Sequence, residues 1–245
     1  MYQKIYDFCK VKNEGGVYKN GTEQTPRVKW IIDLLKSNDI EYIIDQFGTE
    51  ENKMWNIILP GNSDIAVCAH HDIVNKDSDN ANDNSASVIN AIMTKVNNPN
   101  ITVFIVDGEE CGGLGSQRVS DMIKKGSYPE IKSILNYELT GSGGEHFFIG
   151  NYEGSLSDHI LTMFDCPIVS TPFNDSVIFR RNDIDSCVIN PLPPINEKTQ
   201  VQWDGDTYLD YKMLFNCHSM KDSVETISVE DMKSFVEKVA LKILS

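Results

Sequence analysis

Apolar residues along this chain recur in two rhythms. Ile65-Ala66-Val67-Cys68-Ala69 and Ile101-Thr102-Val103-Phe104-Ile105-Val106 are continuous runs, the pattern of strands buried on both faces. Glu41-Tyr42-Ile43-Ile44, Trp55-Asn56-Ile57-Ile58-Leu59, Ile131 to Leu135 and Cys187-Val188-Ile189 also predict strands, with Pro60-Gly61-Asn62 as a turn. Helical spacing separates these runs. Thr25 can cap and Pro26 fits a first helical position, after which Val28, Ile31, Ile32 and Leu35 share one face. Ser85 to Val96 reads as a helix, and another follows the Gly112-Gly113-Leu114-Gly115-Ser116 loop to about Lys125. Ser228 and Asp231 have capping-box spacing before a core-packing stripe of Met232, Phe235, Val236, Val239 and Ile243.

Alternation of strand and helix predicts an α/β fold with a mostly parallel sheet and helices on both faces. Residues 1–245 are expected to form one domain, with 1–24 as an N-terminal segment. Pro191 to Asp210 is the least regular stretch, expected to be a long surface loop near the site because it leads into His218.

Composition narrows the function classes. The formal net charge is −14, and no basic stripe exists to meet phosphates, so nucleic acid is not an expected partner. No apolar run approaches membrane-spanning length and the N-terminus is not a signal peptide. A soluble, cytoplasmic chain is therefore expected, although a mature form with its leader removed would read the same. The 6 cysteines form no CxxC pair, which favours a reducing compartment, with Cys68 and Cys187 as buried thiols.

Chemistry enters through short motifs in a particular order: Ala69-His70-His71-Asp72, Asn82-Asp83-Asn84-Ser85, Asp107-Gly108-Glu109-Glu110, Asn136-Tyr137-Glu138 and Cys217-His218 to Asp222. They supply two imidazoles and three carboxylates, enough for two zinc ions, with a carboxylate to spare. His70, Glu109, Glu110 and Glu138 each follow a predicted strand, and the carboxyl ends of parallel strands are where sites form. His-x-Asp spacing favours His70 over His71 as ligand, with His71 turned to the other side of the strand. His146 and His159 have no partners in sequence. Asp77 and Asp79 read as solvated, and Asp222 either orients His218 or caps the turn at Ser223.

The string AHHD…NDNS…GEECGGLGS…NYELTG…HSMKDSVETI resembles the co-catalytic dizinc aminopeptidases of the MH clan, the family 28-like zinc peptidases. The resemblance runs from about Pro26 to the C-terminus. It implies a single-domain three-layer α/β/α sandwich with a mixed, mostly parallel sheet, of the phosphorylase/hydrolase-like kind. It further implies two zinc ions, one held by His70, Asp83 and Glu138 and the other by Asp83, Glu110 and His218, with Asp83 bridging. Glu109 would be the general base and Asp72 would orient His70. The implied substrate is a peptide with a free N-terminus.

Three positions depart from that pattern. Glu138 stands where many relatives have Asp, Cys217 where some have Tyr, and Arg180 and Arg181 follow Asn174-Asp175-Ser176 where some place an Arg before the acid. Other readings of the same fold are a glutaminyl-cyclase-like acyltransferase, which resembles a one-zinc site without need of His70, and a carboxypeptidase or deacylase. A non-catalytic binding module would have lost ligands, and none is missing. The chain alone does not set the side-chain specificity or the oligomeric state.

Overall fold

All six predicted strand runs enter one eight-stranded sheet in the computed structural model, which describes residues 1–12, 23–150, 153–191, 200–203, 206–209 and 216–245. They are β1 (Ile43–Gly48), β2 (Lys53–Leu59), β3 (Ile65–His70), β4 (Val103–Val106), β5 (Ser133–Tyr137) and β8 (Asp185–Pro191). Two short strands absent from the sequence reading, β6 (Phe147–Gly150) and β7 (Ile168–Val169), complete the order β1-β2-β4-β3-β5-β8-β6-β7. The central strands β4, β3, β5 and β8 run parallel; β1 pairs antiparallel to β2, β2 to β4 and β6 to β8, while β6 and β7 pair parallel, so the sheet is mixed as expected.

Strand alternation splits the core into two layers. Ile57, Leu59, Val67, Ala69, Val103 and Ile105 point to one face; Ile58, Ala66, Cys68, Phe104 and Val106 point to the other. The first face is covered by α2 (Pro26–Ser37), α3 (Ala86–Asn97), α5 (Ser155–Met163) and α7 (Val229–Phe235). The second is covered by α4 (Leu114–Lys124) and α6 (Asp175–Arg181). This is a three-layer α/β/α sandwich. Cys68 and Cys187 are buried in it, and all six thiols are free.

Local signals behave as the physics of caps requires. Thr25 Oγ1 accepts the Val28 N–H at 3.3 Å, and Ser228 Oγ accepts the Asp231 N–H at 3.2 Å. The capping box at Ser228 is only half formed: the Asp231 carboxylate accepts from Gly143 N instead of reaching back. The N-terminal segment contributes α1 (Ile5–Phe8), whose Ile5 and Phe8 enter the main core. The expected loop at 191–210 needs correction. Within it, β9 (Gln200–Trp203) and β10 (Asp206–Leu209) form an antiparallel pair; the rest, beyond Pro191 at the end of β8, lies outside the described residues. No helix of the described residues is long and apolar enough to cross a membrane.

Candidate metal centre

The site lies where the strand order reverses. From β3 the chain passes through α3 to β4 on one side and then through α4 to β5 on the other, opening a crevice at the carboxyl ends. His70 is the last residue of β3 and pairs in register with Val106, which ends β4. Glu109 and Glu110 follow on a tight turn. Gly115 must be glycine there, because a Cβ would meet the Asp107 carbonyl oxygen at 2.3 Å. Glu138 follows β5 directly.

Each residue of Asn82-Asp83-Asn84-Ser85 has a separate task. The Asn82 side-chain oxygen accepts the Gly141 N–H at 2.7 Å. Asn84 donates to the Tyr137 carbonyl at 3.1 Å and accepts from Leu139 N at 3.2 Å, gripping the backbone on both sides of Glu138. Asn190 donates to the Glu138 carbonyl at 2.8 Å. Ser85 Oγ accepts from the Arg27 guanidinium. The Asp83 side chain is thereby left to face inward. Its Oδ1 lies 3.4 Å from His70 Nε2, and its Oδ2 lies 3.2 Å from His218 Nε2. Glu138 Oε1 is 3.4 Å from His70 Nε2, and Glu110 Oε2 is 3.1 Å from His218 Nε2.

Two groups of donors therefore meet at Asp83: His70, Asp83 and Glu138, and Asp83, Glu110 and His218. Each offers one imidazole nitrogen and two carboxylate oxygens within 4.8 Å of one another, a donor set that fits zinc. His70, Glu109 and Glu110 form a third close group, so Glu109 stands beside the pair without belonging to either. The Asp72 carboxylate faces His70 Nδ1 at 3.3 Å and accepts the N–H groups of Glu109 and Glu110 at 3.2 and 3.1 Å. One buried side chain thus touches the imidazole and braces the turn of both acids.

Charge is concentrated in little water. His70 is 1% exposed and Glu109 8%. Burial pushes the Glu109 carboxyl well above its ordinary range, reinforced by Asp175, Glu138 and Glu110 and opposed by His70. Burial likewise lifts Glu110 to about 7. Hydrogen bonding to Asp83 and Glu110 raises His218 to about 10. Burial works against a charged His70, but Glu138, Asp72 and Asp83 outweigh it and raise its pKa. Asp83 goes the other way: burial is overcome by His218 and His70, which hold it ionised.

The remaining sequence candidates fall outside the centre. His71 turns away and its Nε2 meets the Trp55 carbonyl at 2.9 Å. His146 is exposed, and His159 Nε2 meets the Ile243 carbonyl at 3.2 Å. Asp77 is exposed as expected, but Asp79 is half-buried and accepts from Val224 N at 3.1 Å. Asp222 makes no hydrogen bond to the His218 imidazole and does not cap at Ser223. Its two oxygens accept from Asn82 N and Asp83 N, while burial lifts its carboxyl to about 6. Ser223 makes its own turn by accepting from Glu225 N. Arg180 donates to the Glu153 carbonyl and stands apart from the site.

Arg27 carries no motif, and the Asn174-Asp175-Ser176 stretch assigned Asp175 no role of its own. Arg27, fully buried, donates to the His71 carbonyl at 2.7 Å and stacks 3.9 Å over Phe8, tying α1 to the His70 strand end. Asp175, also fully buried, has its carboxyl lifted to about 7 by burial. Only an unpaired arginine on an otherwise apolar helical face could have signalled the first.

A cavity of about 470 Å³ opens onto the acids, with Leu139, Phe148, Pro172 and Phe173 as its apolar wall. Cys217 and His218 border it, and no Lys or Arg lines it among the described residues.

Solved structures repeat this architecture. The aminopeptidase LapA of Legionella pneumophila superposes with a TM-score of 0.71 at 13% identity, over 99% of this chain and 68% of that one. BSAP, a zinc aminopeptidase from Bacillus subtilis, gives 0.58 at 20% identity, over 77% of this chain but only 48% of its own. Glutaminyl cyclase of Porphyromonas gingivalis gives 0.67 at 16% identity, over 99% and 94%. No curated protein matches by sequence. The sequence pattern of Peptidase family M28 matches residues 56–242, a span holding every motif of the acidic crevice, and the chain belongs to that family.

Proposed function

We propose that the protein is a two-zinc aminopeptidase, with His70, Asp83 and Glu138 holding one ion and Asp83, Glu110 and His218 the other. The observation that carries this reading is the splay of Asp83: its two oxygens face different imidazoles, at 3.4 and 3.2 Å. A carboxylate so placed suits a bridge between two ions. Zinc, when bound, supplies Lewis acidity that polarises the scissile carbonyl and makes water more acidic. The chain's own residues do the rest. Glu109, buried and held by Asp72 through its N–H, takes the proton from the attacking water and hands it to the departing amine. Burial, with the neighbouring carboxylates, raises its pKa, which makes it a stronger base than an exposed glutamate.

The cavity favours a free amino terminus. Its charged lining is acidic apart from the His218 imidazole, which supports an amine next to Glu109 and Glu138 and gives a substrate carboxylate no anchor. Leu139, Phe148 and Phe173 suit an apolar first side chain.

Glutaminyl-cyclase activity is the second reading, favoured by the nearly full coverage of the Porphyromonas enzyme. Against it stands His70, which a one-zinc site would not need. The test is metal analysis of the purified protein together with three substrates: a leucyl peptide, its N-acetylated form and a glutaminyl peptide. Two zinc ions, release of free leucine and inertness of the acetylated peptide are expected. Equal rates with and without the acetyl group, or ammonia release with ring closure of the glutaminyl peptide, would overturn the aminopeptidase reading.

A further inference from the structure

Asp83 has to aim two oxygens at once, yet its own backbone is irregular. It sits at φ −109°, ψ 89°, inside a turn that precedes α3 without continuing its hydrogen-bond ladder. A buried N–H there needs an acceptor. Asp222 supplies it across the molecule: Oδ2 accepts the Asp83 N–H at 3.0 Å and Oδ1 the Asn82 N–H at 2.8 Å. Asp222 lies four residues past His218, on the same loop. That loop is seated further by Ser78 Oγ, which donates to the Asp222 carbonyl at 2.9 Å, and by Val224 N, which donates to Asp79 at 3.1 Å.

The consequence is geometric. His218 is the least sheltered member of the centre, its side chain 54% exposed. What registers it against Asp83 is the two-oxygen grip of Asp222. Small changes in the Asp83 backbone would swing both carboxylate oxygens, and any slack in the loop would move His218 as well. His70 has a further hold in β3, and Glu138 in the Asn190 contact as well as the Asn84 contacts around β5.

We propose that Asp222 is a positioning residue that fixes the Asp83 backbone against the His218 loop. It thereby sets the metal affinity of the Asp83, Glu110 and His218 group more than that of the His70, Asp83 and Glu138 group. This inference rests on the two-metal reading above.

Cobalt(II) titration of the metal-free full-length chain, followed by visible absorption, tests it. Wild type should take up two ions. Asp222→Asn keeps one acceptor and turns an amide donor toward the other N–H; it should weaken the first ion at most a few-fold and the second about 10–100-fold. The second ion's absorption should change shape, which general loosening would not produce. Ser228→Ala, which removes a helix cap whose hydroxyl accepts from Asp231 N and from no ligand of the centre, should leave both affinities unchanged. If Asp222→Asn does not fold, Ser78→Ala decides, with an expected several-fold loss confined to the second ion. Wild-type affinities and spectrum in Asp222→Asn, an equal loss at both ions, or the same loss in Ser228→Ala would overturn the proposal alone. Uptake of only one ion by wild type would refute the two-metal reading, and the proposal with it.

Discussion

Removing the Asp72 carboxylate tests the centre where most of its support converges. Asp72→Ala deletes the acceptor of two main-chain N–H groups, from Glu109 and Glu110, and the partner of His70 Nδ1. A hydrogen bond to a charged group contributes about 1.5–3 kcal/mol, so the two N–H bonds together give about 3–6 kcal/mol. Water entering from the adjoining cavity replaces part of this, which favours the lower half, about 3–4 kcal/mol. At about 2–4 °C per kcal/mol for a chain of this size, the metal-free variant should melt about 6–16 °C below wild type. Metal affinity should fall about 10–100-fold, because the imidazole loses its orienting carboxylate. Thermal unfolding of the chelated proteins measures the first effect, and zinc competition titration the second. A lower melting temperature with wild-type metal affinity would show that Asp72 only braces the turn. No change in either would refute the reasoning altogether.

Glu109→Gln should keep two metal ions yet slow peptide hydrolysis by about 10²–10⁴-fold, the scale of general-base removal, whereas Glu110→Gln should weaken one ion; metal loss in the first variant and not in the second would reverse the two roles. Proton release gives an independent check. In the metal-free chain Asp83 and Glu110 raise His218 to about 10, so the imidazolium persists well above neutrality and competes with a metal for the same nitrogen. Acid must therefore weaken binding. Affinity for the ion held by His218 should rise about tenfold per pH unit for each proton expelled, between about pH 6 and 9. Titration calorimetry in buffers of different ionisation heat measures that release, and pH-independent binding without proton release would contradict it.

What the sequence determined by itself was local. Strand runs and helical stripes are set by short-range periodicity, so six strands and the capped helices after Thr25 and Ser228 were legible, with ends shifted by a few residues. The five motifs were legible because metal chemistry restricts residue types. Their positions after strands also placed four of the acids and histidines on one sheet edge. Strands β6 and β7 escaped because four- and two-residue segments carry too little pattern.

Tertiary structure alone decided how those groups face one another. That Asp83 divides its oxygens between His70 and His218, that Asn84 grips both sides of Glu138, and that Arg27 reaches the His71 carbonyl are contacts between distant segments. The Asp222 grip joins residues 139 apart in the chain. No periodicity encodes such a pairing, because its partner is a backbone N–H that every residue but proline carries; only the folded path of the chain selects which one needs a carboxylate.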